Sequence, residues 1–103
     1  MRAVLHQDIV ALATCLLKQP SAKRSKFAAI MVAQAHNADL FRLHHGRAHY
    51  QFGDGTLASC CSRENALSER RLDDPDYAEC MIKAIEAVAA FRHSQSASDR
   101  HHR

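Results

Sequence analysis

The sequence predicts an all-α fold: a helical hairpin formed by a short first helix and a long second one, completed by a short third helix and a C-terminal helix. Three observations carry this. The 103 residues hold only three glycines and two prolines, too few for the many turns of a sandwich or barrel. Aromatic residues make up 6% of the chain, which leaves strands little to pack with. Apolar residues recur instead in steps of three and four along three separate stretches, the period of a helix face.

The first stretch lies between His6 and Lys18, where Ile9, Leu12, Ala13, Leu16 and Leu17 form one amphipathic stripe and Pro20 ends it. Ser21 is a favourable N-cap for a second helix, in which Phe27, Ile30, Met31, Gln34, Ala38 and Phe41 recur until Gly46 supplies a left-handed stop. Run unbroken from Ala22 to His45, that helix spans about 36 Å, roughly twice the first, so its far end needs cover from a third helix or another subunit. Residues Gly46 to Thr56 hold all three glycines, Gly46, Gly53 and Gly55, and read as an ordered loop. Tyr50 and Phe52 are expected to anchor this loop by burial, and Asp54 to cap a short helix from Thr56 to about Ser62. Arg63 to Leu72 is a polar connector. Asp74 followed by Pro75 then marks a strong helix start. The last helix carries the clearest stripe of all: Tyr77, Cys80, Met81, Ala84, Ile85, Val88 and Phe91. Residues 1–92 thus form one helical domain, and 93–103, without large apolar groups, are expected to be a disordered tail.

The apolar share is 47%, yet 18 of those residues are alanine, so the side chains able to fill a core are few. A small domain hides only about 60% of its unfolded surface, which makes self-association a natural source of stability. A homo-oligomer is therefore expected. A chain of 11.5 kDa also excludes two catalytic lobes or a complete nucleotide-binding sheet. No apolar run reaches the length of a membrane span, and no signal-peptide core follows Met1, so a cytoplasmic protein without membrane contact is expected.

The net charge is +3, but it is unevenly spread: residues 1–71 carry +5 and residues 72–103 carry −2. Lys18, Lys23, Arg24 and Lys26 gather around the break at Pro20 and Ser21. Cations at a helix start oppose its dipole, whereas a phosphate there is attracted by both side chains and amides. These four residues are the candidate contacts to a DNA backbone, set against the plainer reading of a solvated basic turn. The second helix is too long, and the turn before it too rich in proline, for a helix-turn-helix that reads bases.

His36, His44, His45 and His49 precede Cys60 and Cys61, and His44 or His45 with His49 meets half of a zinc pattern. The adjacent cysteines fail the other half, so a zinc-stabilised module is a rival reading and no metal or other cofactor is expected. Cys15, Cys60, Cys61 and Cys80 lack a Cys-x-x-Cys spacing and suit neither a disulfide framework nor a redox pair. His49, Asp54 and Cys60 could be named as a catalytic set, but no nucleophile elbow or phosphate loop supports them, and no enzyme activity or catalytic residue is expected. Asp73, Asp74, Asp76 and Glu79 suit the dipole of the last helix, or else form an acidic docking edge.

Three segments carry a resemblance: Arg2-Ala3-Val4-Leu5-His6-Gln7-Asp8-Ile9-Val10-Ala11; Gly46-Arg47-Ala48-His49 with Gly53-Asp54-Gly55-Thr56-Leu57; and Leu72-Asp73-Asp74-Pro75-Asp76-Tyr77 with Cys80. Over most of residues 2–92 the chain resembles a small family encoded beside the packaging ATPase of gene transfer agents, the small terminase subunits of these phage-like particles. It departs from that family at Thr56, where serine is usual, at Tyr50 in place of proline and at Gln7 in place of glycine. The resemblance implies a non-catalytic DNA-packaging subunit that assembles into a ring, contacts double-stranded DNA weakly and without sequence preference, and recruits the large terminase subunit. A helical adaptor that binds a protein and never touches DNA is the alternative from another class.

Overall fold

The computed structural model describes residues 1–61 and 70–101, and among them every regular element is helical. The elements are α1 (His6–Leu16), one 3-10 turn at Ser21–Lys23, α2 (Arg24–His45), α3 (Leu57–Cys61) and α4 (Pro75–His101). The expected connector from Arg63 and the end of the short helix at Ser62 lie outside the described residues, apart from Arg70 to Leu72, which are not helical.

Contacts at the two ends of the stack give the helix directions. Arg24 at the start of α2 reaches the Leu16 carbonyl at the end of α1 and Asp76 at the start of α4. At the opposite end His36 of α2 lies 5.0 Å from the Phe91 ring of α4, and the Met1 ammonium lies 2.6 Å from His36 Nδ1. Hence α1 and α2 form the expected antiparallel hairpin, while α2 and α4 run parallel. The last helix is more than an addition to that hairpin. Both α1 and α2 pack on α4 more extensively than on each other, and α3 closes the opposite side between them.

Local chemistry sets the boundaries. Gly46, at φ +70°, stops α2 and its N–H donates to the Arg42 carbonyl at 2.8 Å. Asp74 caps α4 by accepting the N–H groups of Asp76 and Tyr77. Ser21 does not cap α2. A 3-10 turn intervenes, and the Ser21 hydroxyl donates to Glu79 instead. The C-terminal segment also differs from expectation, because α4 does not end in a disordered tail at His93 but continues to His101. Ser94 to Arg100 contains no glycine or proline, and lengthening an existing helix costs far less than starting one.

The core centres on Leu12, Leu16, Met31, Val32, Leu57, Tyr77 and Cys80, all nearly inaccessible. Its composition corrects the expected face of α2. Ala28, Met31, Val32, Ala35 and Ala38 point inward, whereas Phe27 and Gln34 are half-buried and Ile30 is exposed. The alanines are inside because two helices that cross the core share little space with α2, and small side chains let the backbones approach. On α4, Tyr77, Cys80, Met81 and Ala84 are buried as the stripe predicts, but Ile85 faces outward.

Candidate nucleic-acid interface

The four cations of the α1–α2 corner separate into two kinds. Lys18, Lys23 and Lys26 are exposed, and among the described residues no carboxylate pairs with them. Arg24 is 4% exposed and cannot be a backbone contact of the kind expected for it. Its Nε–H is shared by the carbonyls of Leu16 and Gln19, each at 3.1 Å, and its Nη1 donates to Asp76 at 2.6 Å and Glu79 at 3.3 Å. The planar guanidinium thus joins α1, the turn after it and α4 through one side chain. The hydrogen bond that Arg24 donates to Asp76 raises the Arg24 pKa further despite burial, so this charge is permanent. Reciprocally, Arg24 holds the Asp76 carboxyl below its ordinary value, and Ser21, followed by Arg24, does the same for Glu79. The acidic start of α4 is in this way turned toward its own chain, and the three lysines are left with their charge directed to solvent.

A phase argument could have distinguished Arg24 from its neighbours. Positions 24, 28, 31, 35 and 38 follow one another in steps of four and three, so a guanidinium at 24 begins the inward stripe, whereas 23 and 26 do not.

The glycine loop between α2 and α3 is ordered by means the sequence only partly indicated. His49 and Gly53 exchange backbone hydrogen bonds at 2.7 and 3.1 Å, closing a tight turn. Phe52 is half-buried against the core as expected, but Tyr50 is 77% exposed and does not anchor the loop by burial; its ring stacks on His49, whose other contacts include Phe52. Asp54 caps α3 only indirectly. It accepts from the backbone N–H and the hydroxyl of Thr56, and the Thr56 hydroxyl in turn accepts the N–H of Ser59. Those bonds, the hydroxyl first, hold the Asp54 carboxyl below its usual range.

Two further groups went unnoticed at the level of sequence. Asp8 is 3% exposed and caps two helices together: one oxygen accepts the Leu5 N–H ahead of α1, and the other accepts the Ala58 N–H at the start of α3. An acidic residue three positions after the N-cap Leu5 was a visible signal for the first role only. The second group surrounds Met1, whose ammonium lies 3.3 Å from Asp39 and beside His36, while Arg92 donates to the Met1 and Arg2 carbonyls. Burial, then the neighbouring ammonium, lowers the His36 pKa. Burial pushes the Asp39 carboxyl up, but hydrogen bonds from Arg42 and the Met1 ammonium outweigh it and hold it down.

The histidines and cysteines do not converge. The Cys60 thiol turns to the Met31 carbonyl and Gln34, Cys15 donates to the Cys61 carbonyl, and all four cysteines are buried. The His44 ring instead meets that of His45, and His45 and His49 each meet the Phe41 ring. Among the described residues no three His, Cys, Asp or Glu side chains gather as a metal ion would require. No helix among them is long and apolar enough to cross a membrane.

These features define a small all-α protein with an exposed lysine corner and a tightly built glycine loop. A family model described as a domain of unknown function, DUF7742, matches residues 2–88, and the chain belongs to that family. No curated protein and no solved structure matches the chain.

Proposed function

We propose that the protein is a small terminase-like DNA-packaging subunit of the cytoplasm: non-catalytic, oligomeric, holding double-stranded DNA weakly and without sequence preference, and recruiting a large terminase motor. The observation that carries the DNA part is the corner of Lys18, Lys23 and Lys26, exposed and unopposed by nearby acids because Arg24 occupies Asp76 and Glu79. Lysine is suited to phosphate as a flexible point charge, and contacts of this kind position a duplex without reading it. The assembly and motor-recruiting parts rest on the resemblance to small terminases of gene transfer agents.

The test is binding to a random-sequence duplex by fluorescence anisotropy over a range of salt concentrations. Each phosphate neutralised contributes about 0.9 to the slope of log affinity against log salt. The triple variant Lys18→Glu/Lys23→Glu/Lys26→Glu should weaken binding strongly and flatten that slope by about 2 to 3 per subunit engaged. An unchanged affinity and slope would remove this surface and favour the adaptor that never contacts DNA.

A further inference from the structure

The turn that joins α2 to α3 sets a row of rings from the core outward. Phe52 is half-buried against the core, the His49 ring lies nearly parallel to it at 4.7 Å and 8°, and the Tyr50 ring lies nearly parallel to His49 at 4.8 Å and 17°. Phe41 meets His49 edge-on at 4.8 Å. Hydrogen bonds fix the row as firmly as the rings do. His49 and Gly53 exchange theirs along the backbone, and His49 Nδ1 accepts the N–H groups of Gln51 at 2.9 Å and Phe52 at 3.0 Å. A single exposed aromatic residue needs no explanation by itself. Tyr50 differs in standing at the solvent end of a fixed stack with 77% of its surface open, so that the next ring in the row can come from outside the chain.

The charge around this row has one sign. Residues 40–53 contain Arg42, Arg47 and three histidines, and no Asp or Glu. The carboxylates on either side are engaged, Asp39 by Arg42 and the Met1 ammonium, Asp54 by Thr56 and, at 3.9 Å, by Arg2. Arg47 is exposed and lies over the Phe41 ring at 5.8 Å, and among the described residues no carboxylate pairs with it. An open ring near such a guanidinium matches a ligand that carries a planar group beside an anion. An acidic peptide supplies the anion but leaves Tyr50 unused, and a duplex keeps the faces of its bases covered. An unpaired nucleotide offers both.

We propose that Tyr50 and Arg47 form a contact site for single-stranded nucleic acid, an unpaired base stacking on Tyr50 while a neighbouring phosphate meets Arg47. Every base has a ring face, so the site carries little sequence preference. It stands at the far end of α2 from the lysine corner, about 33 Å along the 22 residues of that helix, and does not rest on the duplex contact proposed there.

The chain has no tryptophan and two tyrosines, and Tyr77 is buried, so changes in tyrosine emission on binding report on Tyr50. Oligothymidylate and oligouridylate share a ring face and a phosphate and should both quench that emission, the tighter of the two naming the natural source. An abasic strand of the same length and charge should bind at least about fivefold more weakly and quench nothing. Tyr50→Ala should weaken oligothymidylate binding by at least about fivefold in fluorescence anisotropy, whereas Tyr50→Phe should bind as wild type but without the quench. Arg47→Ala should flatten the slope of log affinity against log salt by about 0.7. Equal affinity for the abasic strand, an affinity unchanged by Tyr50→Ala, or a polyglutamate peptide that binds as tightly as oligothymidylate of the same charge would overturn the proposal, the last in favour of an acidic protein partner. The triple lysine variant should keep the quench. Loss of duplex binding in wild type with the quench present would break the packaging reading and leave this site standing; a missing quench with duplex binding intact would do the reverse.

Discussion

The two ends of the helix stack are closed by different means. Where α1 stops and α2 and α4 begin, one side chain does most of it: Arg24 engages two carbonyls and two carboxylates on three parts of the chain, and the Ser21 hydroxyl adds a bond to Glu79. At the opposite end the closure is shared. The Met1 ammonium meets His36 and Asp39, Arg92 holds the Met1 and Arg2 carbonyls, and the Arg2 N–H donates to the Gly55 carbonyl at 3.0 Å. An end joined by a single multidentate cation fails when that cation is lost, whereas an end joined by several short contacts weakens in steps.

The largest effect should therefore fall at Arg24. Arg24→Ala leaves a buried carbonyl short of its charged donor and releases both carboxylates, a loss of about 3 kcal/mol. Because Asp76 and Glu79 stay partly solvated, most of that loss comes from the buried carbonyls and the vacated volume, not from the ion pairs. Arg24→Lys should recover less than half, since an ammonium cannot reproduce the planar fork. Lys23→Ala, one residue away, should change stability by less than about 0.5 kcal/mol. Urea denaturation at neutral pH measures all three, and similar losses for Arg24→Ala and Lys23→Ala would abolish the distinction between the buried guanidinium and the exposed lysines.

The shared end offers a sharper comparison between two glycines. Gly46 and Gly55 both have positive φ, +70° and +97°. A Cβ on Gly46 meets nothing within 4 Å, but one on Gly55 falls 2.7 Å from the Asp39 Cα, against the backbone of α2. Gly46→Ala should cost about 1 kcal/mol, the conformational penalty alone. Gly55→Ala should cost at least about 2 kcal/mol, because the loop must also move off α2 and strain the Arg2 and Asp39 contacts. Equal melting temperatures for the two variants would show that the loop does not press on α2 as described.

How much of this was legible follows the range of the interactions. Caps and stops made within four residues were readable: Asp74 before Pro75, and Gly46 after His45. The face of α2 was misjudged because large residues, Phe27 and Ile30, were given the weight that close packing assigns to Ala28 and Ala35. Arg24 looked like the lysines beside it because charge alone does not reveal burial, although its helical phase did. Asp8 capping α3, and Met1 meeting Asp39, join positions 50 and 38 residues apart, and nothing local in the sequence encodes such a pairing. The lysine corner was legible as residues, but its isolation from acids depends on where Arg24 points.

The smallest effect tests the shared end through pH. The His36 pKa is lowered in the folded protein, by burial first and then by the Met1 ammonium, from an ordinary value of 6.5. As pH falls past about 6.5 the unfolded chain takes up a proton at this position before the folded chain does, so stability should decline on acidification from there. Asp39 contributes in a different window. Its carboxyl pKa is held down on balance, because Arg42 and the Met1 ammonium outweigh burial, so its contribution is present above the ordinary value of 3.8 and is lost as pH falls through the folded value. Melting temperature against pH should therefore show a shallow decline from about pH 6.5 and a steeper one below about pH 4. His36→Gln keeps an acceptor for the ammonium but cannot titrate, and should flatten the first decline without altering the second. A first decline that survives His36→Gln unchanged would leave the Met1 and His36 contact without a role in acid stability.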